Sequence, residues 1–326
     1  MRNITYCEAL REALLNEMNR DEKVFLVGED ISVLGNVFGV TKGLLEKFGR
    51  KRVRNSPISE AAIIGAAVGS SMLGQRPVVE IMYIDFMTIA MDQIINQAAK
   101  LRYMSGGKIN LPLVIRTQGG AGTGEAAQHS QSLEAFFMHI PGLKVVMPAT
   151  PYDAKGLLIS AIRDENPVIF IEHKMLYPLK GTVPKEEYSI KLGKADIKCE
   201  GNDLTIVSTS FMLYEIINYV VPQLNIEGIK PEVIDPRTIS PIDKETIFNS
   251  VKKTGKLLIV QEAVGPCSFA SELSALVSEE IIDYLDAPVK RLCGAFCPIP
   301  YNKKLEESII PQNSDILMAV RELLKK

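Results

Sequence analysis

NSPISEAAIIGAAVGSSMLGQRPVVEIMYI, residues 55–84, is the stretch on which the fold turns. In its first half Ile63, Ile64, Ala66, Ala67, Val68 and Gly69 leave no polar face, which predicts a helix buried on most sides. The second half, from Arg76 to Ile84, is a short apolar run and predicts a strand. A helix feeding such a strand is half of a right-handed crossover between parallel strands. The charge at the mouth of the helix, Glu60, has an ordinary explanation: an acid in the first turn complements the helix dipole, with Ser56 or Ser59 as cap. It also has a chemical one, because a carboxylate in apolar surroundings needs a partner or a proton.

The same alternation extends in both directions. Upstream, Thr5 and Glu8 form a capping box before Leu10, Leu14 and Met18, and VFLVG (24–28) is a strand running into Glu29 and Asp30. Downstream, TIAMDQIINQAAKLRYM (88–104) reads as a helix with Met91, Ile94, Ile95, Ala98 and Leu101 inward, followed by the strand LPLVIRT (111–117) and a glycine-rich loop. SLEAFFMHI (132–140), LKVVMP (143–148), PYDAKGLLISAIRD (151–164) and PVIFIE (167–172) continue as helix, strand, helix and strand. Periodicity lapses between about 174 and 202, then resumes as DLTIVST (203–209), PEVID (231–235), KLLIVQE (256–262) and VKRLC (289–293), with helices between. The expected division is a first domain at 1–180, a linker at 181–202 and a second domain at 203–326. Each is expected to be a three-layer α/β domain with a mostly parallel sheet. Ligands of such sheets bind beyond the carboxyl ends of the strands, which directs attention to IMYIDFM (81–87) and VIRTQGGAGTGEAAQHS (114–130).

Composition narrows the function. The chain of 326 residues is 46% apolar and 23% charged, and 37 Lys and Arg against 39 Asp and Glu give a net charge of −2. That balance gives no reason to expect nucleic acid or an anionic membrane as partner. The basic run KFGRKRVR (47–54) lacks interleaved aromatics and reads as a solvated loop. Five cysteines at irregular spacing make no disulfide framework, and Cys293 and Cys297 read as buried thiols, with no second pair to complete a metal site. The amino terminus carries no apolar signal core and no run is long enough to span a bilayer, so a cytoplasmic location is expected and the sequon at Asn3 is idle.

Among the chemical candidates, GGAGTG (119–124) lacks the Lys-Ser/Thr ending of a phosphate loop, and its glycines point to positive φ and close backbone approach. His129, flanked by Gln128, Ser130 and Gln131 at an expected helix start, invites proton transfer, although a structural histidine is the default reading from local sequence. His139 and His173 read as packing or helix-end residues, and no G-x-S-x-G elbow supports a hydrolase. Met82 and Phe86 are core residues or the wall of an aromatic ligand.

Taken together, SPISE (56–60), DQIINQAAKLRYMSGG (92–107), AAQHSQSLEAFFMHIPGLKVVMP (126–148) and PYDAKGLLISAIRDENPVIF (151–170) closely resemble the beta subunit of the thiamine-diphosphate-dependent first component of 2-oxo acid and acetoin dehydrogenase complexes. The likeness runs over essentially the whole chain and implies a pyrimidine-binding domain followed by a transketolase C-terminal-like domain. It implies that Glu60 hydrogen-bonds the pyrimidine nitrogen of the cofactor and promotes the imino tautomer that deprotonates the thiazolium carbon; an apolar pocket strengthens that bond. Ile58, Met82 and Phe86 are implied to line the pyrimidine pocket, and His129 to face the reacting carbon. A potassium ion is implied at Leu113, Ala161, Ile162, Asp164 and Asn166, partly through backbone carbonyls, as suits a hard cation.

The diphosphate and Mg²⁺ site of such cofactors is announced by GDG followed at a distance by NN, and neither occurs here. The resemblance therefore implies an alpha subunit that supplies the Mg²⁺ ligands, an α₂β₂ heterotetramer, and docking on a dihydrolipoyl acyltransferase core with its lipoyl domain. The reaction implied is formation of a hydroxyalkyl-thiamine intermediate and acyl transfer to lipoamide. GNVFGVTKGL (35–44), PVVEIMYIDF (77–86), FIEHKMLYPLKGTVP (170–184) and VIDPRTISPID (233–243) resemble acetoin dehydrogenase somewhat more than the pyruvate or branched-chain 2-oxo acid enzymes, while NSPISE departs from the commoner DTPISE. A single-chain thiamine enzyme would need the diphosphate motif on this chain. A non-catalytic scaffold subunit would not explain the presence of both Glu60 and His129.

Overall fold

The computed structural model describes residues 1–325. They form two compact units, one of residues 1–119 with 136–192 and one of residues 120–135 with 193–325.

In the first unit, β1 (Arg2–Thr5) leads into α1 (Tyr6–Arg20), and the sheet strands are β2 (Val24–Gly28), β3 (Val53–Asn55), β4 (Arg76–Ile81), β5 (Val114–Gly119), β6 (Lys144–Val146) and β7 (Val168–His173). They lie in the order β6-β7-β5-β4-β2-β3, every pair parallel. The crossovers include α2 (Glu60–Met72), between β3 and β4, and α3 (Pro151–Arg163), between β6 and β7. The capping box closes as read: the Glu8 amide donates to Thr5 Oγ1 at 3.1 Å and the Thr5 amide to Glu8 Oε2 at 2.7 Å. α1 packs on α3, where the fully buried Glu17 accepts from Arg163 at 2.6 Å.

Four sequence readings change here. α2 is not buried on most sides: Ile63, Ile64, Ala67, Val68 and Ser71 form one buried stripe, while Ala61, Ala62, Ala66 and Gly69 are exposed. The helix expected at 88–104 is a series of turns, a 3₁₀ turn at Ile84–Ala90, a π-helical turn at Gln93–Ala98 and a short helix at Leu101–Met104. Only Ile94 and Ala98 of its expected inward set are fully buried, because the Ala99 amide reaches back five residues to Ile94 O and rotates the face. In the basic run, Val53–Asn55 is a strand, and Arg52 donates to the carbonyls of Met18, Asp21 and Val24 at 2.5–3.0 Å, closing the end of α1. Lastly, the stretch 181–202 holds regular structure: β8 (Lys180–Val183) pairs antiparallel with β1, and β9 (Asp196–Cys199) joins the sheet of the second unit. Both are short edge strands whose mixed polar sequence hides the period of two.

That second sheet contains β9, β10 (Leu204–Ser208), β11 (Pro231–Asp235), β12 (Leu257–Val264) and β13 (Lys290–Gly294) in the order β13-β12-β10-β11-β9, parallel except at β9. α4 (Lys244–Thr254), capped by Asp243, packs on β10, where Thr205 Oγ1 lies 2.7 Å from both Ser250 Oγ and Thr254 Oγ1. Cys293 is half-buried and Cys297 is exposed, so the expected pair of buried thiols is not formed.

Candidate functional site

The predicted cofactor-binding residues of the first unit, Ile58, Glu60, Met82 and Phe86, lie at the carboxyl edge of its sheet. β2 ends at Gly28, where a Cβ would lie 2.8 Å from the Glu80 carbonyl oxygen on β4, so only glycine lets the two strand ends close up. Glu29 and Asp30 follow. The neighbouring β3 ends at Asn55, and Ser56, Pro57 and Ile58 then lead to the first residue of α2, Glu60. Glu29, Asp30 and residues 55–58 line an open cleft of 510 Å³.

Glu60 is 6% exposed, and no hydrogen bond reaches its carboxylate among the described residues. Neither serine caps the helix: Ser56 Oγ donates to the Pro57 carbonyl at 2.9 Å, and Ser59, at the cap position, makes no side-chain cap bond. Ser59 is exposed, so water can serve the first amides of the helix. Burial, and then the charges of Glu60 and Asp30, push the Glu29 carboxyl above its ordinary value. Beyond β4, Met82 and Phe86 are half-buried, Phe86 on the 3₁₀ turn that packs against α2. Ile58 is 79% exposed. Side chains of this size left open to solvent can take up a flat apolar ring.

Sequence reading missed a charged network one layer below this edge. Arg116 on β5 donates to Glu172 on β7 at 2.6 and 2.8 Å and to Glu80 on β4 at 2.7 Å, and Asn36 donates to both oxygens of Glu80 at 2.7 and 2.8 Å. Tyr177 donates to Glu172 at 2.6 Å. Burial raises the Glu80 carboxyl despite Arg116, and for Arg116 the two carboxylates outweigh the opposing effect of burial and hold its proton more tightly. The signal was in the sequence: Glu80, Arg116 and Glu172 each interrupt the apolar run of one of the three central strands.

In the second unit His129 is half-buried in a turn, its amide 3.4 Å from the Ala126 carbonyl, and not at a helix start; the next helix begins at Glu134. Gly120, Gly122 and Gly124 have φ of 90, 100 and 69°, as the glycine pattern predicts. The amides a phosphate loop would offer are taken by carboxylates: Ala121 N–H donates to Glu262 and Gly122 N–H to Glu306, both at 2.8 Å.

The implied potassium residues cluster around the end of α3. Leu113 O accepts from Val168 N–H at 2.9 Å, Ala161 O from Asp164 N–H at 3.3 Å, and Arg76 donates to the carbonyls of Ile162 and Asp164 at 3.1 and 3.4 Å. Burial would raise the Asp164 carboxyl, but Lys144 and Asn166 more than offset it and hold it below its ordinary value. The donor set is oxygen-rich, and each carbonyl keeps a second lone pair, which fits a hard monovalent cation. No helix among the described residues is long and apolar enough to cross a membrane.

Comparison with known proteins yields two family models. The transketolase pyrimidine-binding domain matches residues 2–180 and the transketolase C-terminal domain matches residues 193–316. The chain is 46% identical to the beta subunit of acetoin:2,6-dichlorophenolindophenol oxidoreductase of Bacillus subtilis (strain 168), over 99% of this chain and 98% of the relative. It is 44% identical to the 2-oxoisovalerate dehydrogenase subunit beta of the same organism, over 98% of each chain. The pyruvate dehydrogenase E1 component subunit beta of Gracilaria tenuistipitata var. liui is also 44% identical, over 99% of this chain and all of the relative (100%). A solved split-gene transketolase, an inactive beta4 tetramer, superposes with a TM-score of 0.81 over 99% and 98% of the two chains; at 22% identity it supports the fold alone.

Proposed function

The chain belongs to the family of thiamine-diphosphate-dependent acetoin and 2-oxo acid dehydrogenase beta subunits, and from that premise we propose that it is the beta subunit of an acetoin dehydrogenase, active with an alpha subunit in an α₂β₂ assembly. The observation that carries the reading is Glu60, a carboxylate buried at a helix start on the ligand edge of the sheet and without a donor among the described residues. Such a group fits a ligand that brings its own N–H.

Thiamine diphosphate, when bound, supplies an acidic carbon that adds to the substrate carbonyl. Ile58, Met82 and Phe86 hold its pyrimidine ring in this reading. Glu60 shares a proton with the ring nitrogen in this reading. His129 moves a proton at the reacting carbon or receives the lipoyl group. Leu113, Ala161, Ile162, Asp164 and Asn166 hold potassium, the alpha subunit holds Mg²⁺, and the acyl group passes to lipoamide on an acyltransferase core.

The stretches at 35–44 and 170–184 support acetoin as substrate. Relatives acting on pyruvate and 2-oxoisovalerate are nearly as similar, and they define the second reading. The test is co-expression with the alpha subunit and reduction of a dye acceptor with acetoin, pyruvate or 2-oxoisovalerate. Acetoin is expected to be turned over fastest. Faster turnover of a 2-oxo acid would transfer the chain to the second reading, and turnover of none by a complex that binds the cofactor would overturn both.

A further inference from the structure

Within the first unit a cleft of 370 Å³ is lined by the edge strand β3, by Ser32 and Val33 in the turns after β2, and by Leu45 on the short helix Leu44–Phe48. Val33, Leu45 and Val53 give it an apolar side, and Arg50, Arg54, Ser32 and Asn55 a polar one. No carboxylate is among the described residues that line it. Whereas Arg52 in the same basic run spends its guanidinium on backbone carbonyls, Arg54 is held by one carbonyl and one ring. Its Nε donates to the Lys51 carbonyl at 2.9 Å, and its guanidinium lies 4.3 Å from the centre of the Phe25 ring. Both partners are neutral, so the charge is not cancelled, and Nη1 and Nη2 stay free to donate. Arg50, on the turn before β3, also forms no ion pair among the described residues.

We propose that this cleft binds a small organic phosphate, a monoester on a short hydrocarbon body. The volume is at the low end of ligand pockets, roughly 300–1,000 Å³, which limits the body to a few carbons. An arginine whose Nε is already engaged presents its two terminal nitrogens as a fork, and a fork matches two phosphate oxygens at once. Two guanidiniums balance a dianion, while the Ser32 hydroxyl and the Asn55 amide supply further donors. A carboxylate, with one charge and two oxygens, leaves one arginine unspent. The apolar side takes the carbons, which inorganic phosphate lacks. The inference is independent of the acetoin reading, because no residue of the cleft was given a role there.

Calorimetric titration of the full-length chain in a phosphate-free buffer at pH 8, where a monoester is a dianion, tests it with butyl phosphate, inorganic phosphate, pentanoate and butylamine. Saturable 1:1 binding of butyl phosphate is expected, about tenfold tighter than pentanoate, with inorganic phosphate weaker than its ester and no binding of the amine. Arg54→Lys keeps a charge but not the fork and is expected to weaken butyl phosphate about tenfold; Arg50→Gln is expected to weaken it as well. Lys51→Gln removes a neighbouring charge that does not line the cleft and is expected to leave the affinity within about twofold. All three side chains are exposed, and circular dichroism checks that the variants fold. No saturable binding of butyl phosphate, equal affinity for pentanoate or for inorganic phosphate, an affinity untouched by Arg54→Lys, or an equal loss in Lys51→Gln would each overturn the proposal.

Discussion

Glu60 and Glu134 are both buried carboxylates, and their different settings give different expectations. Glu60 lies at the positive end of α2 without a described donor, so it contributes no hydrogen bond to the chain's own fold. Glu60→Gln is therefore expected to leave the melting temperature nearly unchanged, because no hydrogen bond within the chain is lost. In the assembled enzyme the same change is expected to cut turnover by about 10²–10⁴-fold, the usual worth of a positioned proton-transfer group. Thermal melts and dye-reduction rates measured side by side check both halves; near-normal turnover would remove Glu60 from the chemistry. Glu134 acts through pH. Its folded-state pKa is raised from 4.5 to about 7, so its contribution to stability is fully present below pH 4.5 and is lost as pH rises through 7. Over that window the loss is on the order of 3 kcal/mol, and Glu134→Gln should flatten it. Denaturant midpoints at pH 5 and pH 8 for both proteins measure the difference, and equal slopes would contradict it. Legibility varied at this scale. Glu60 stood out as one charge before an apolar helix, whereas Glu29 and Glu134 were hidden because nothing local in sequence reports which distant acid faces them.

Elements whose signals are local were read well. The capping box at Thr5 and Glu8 needs only residues within one turn, and it formed as the spacing dictates. Thr5→Ala is expected to cost about 1 kcal/mol by leaving first-turn amides unserved, seen as a lower denaturant midpoint with unchanged slope; no change would mean that water replaces the cap fully. The parallel strands were equally legible, since their apolar runs are continuous. Elements whose register depends on neighbours were not. Residues 88–104 keep a helical hydrophobic pattern yet switch to π geometry at Gln93–Ala98, and propensity carries no mark of that switch. The bare face of α2 shows a second limit. Sequence tells that Ala62 and Ala66 avoid polarity, but not whether the chain itself or another chain covers them.

For the whole molecule, the two-unit α/β architecture followed from alternating elements, and the family followed from long ordered motifs. Proximity of residues 120–135 to the second unit did not follow, because a loop's allegiance is decided by long-range bonds such as Ala121 to Glu262 and Gly122 to Glu306. The potassium reading also belongs here, since its oxygens come from the end of α3 and the approach to β5. Potassium chloride is expected to raise the melting temperature by several degrees over lithium chloride at equal ionic strength, as binding to the folded state alone requires. Identical melts in the two salts would dismiss the site. The side chain of Asn36 has a wider consequence. It grips Glu80 and also accepts from the Phe38 and Val40 amides at 2.9 and 3.0 Å, so the run of turns that exposes Val33, Leu34 and Val37 is moored at its base. Greasy fingertips on a stiff knuckle surrender little freedom when another surface closes over them, so contact made there should register as a drop in heat capacity free of any folding component.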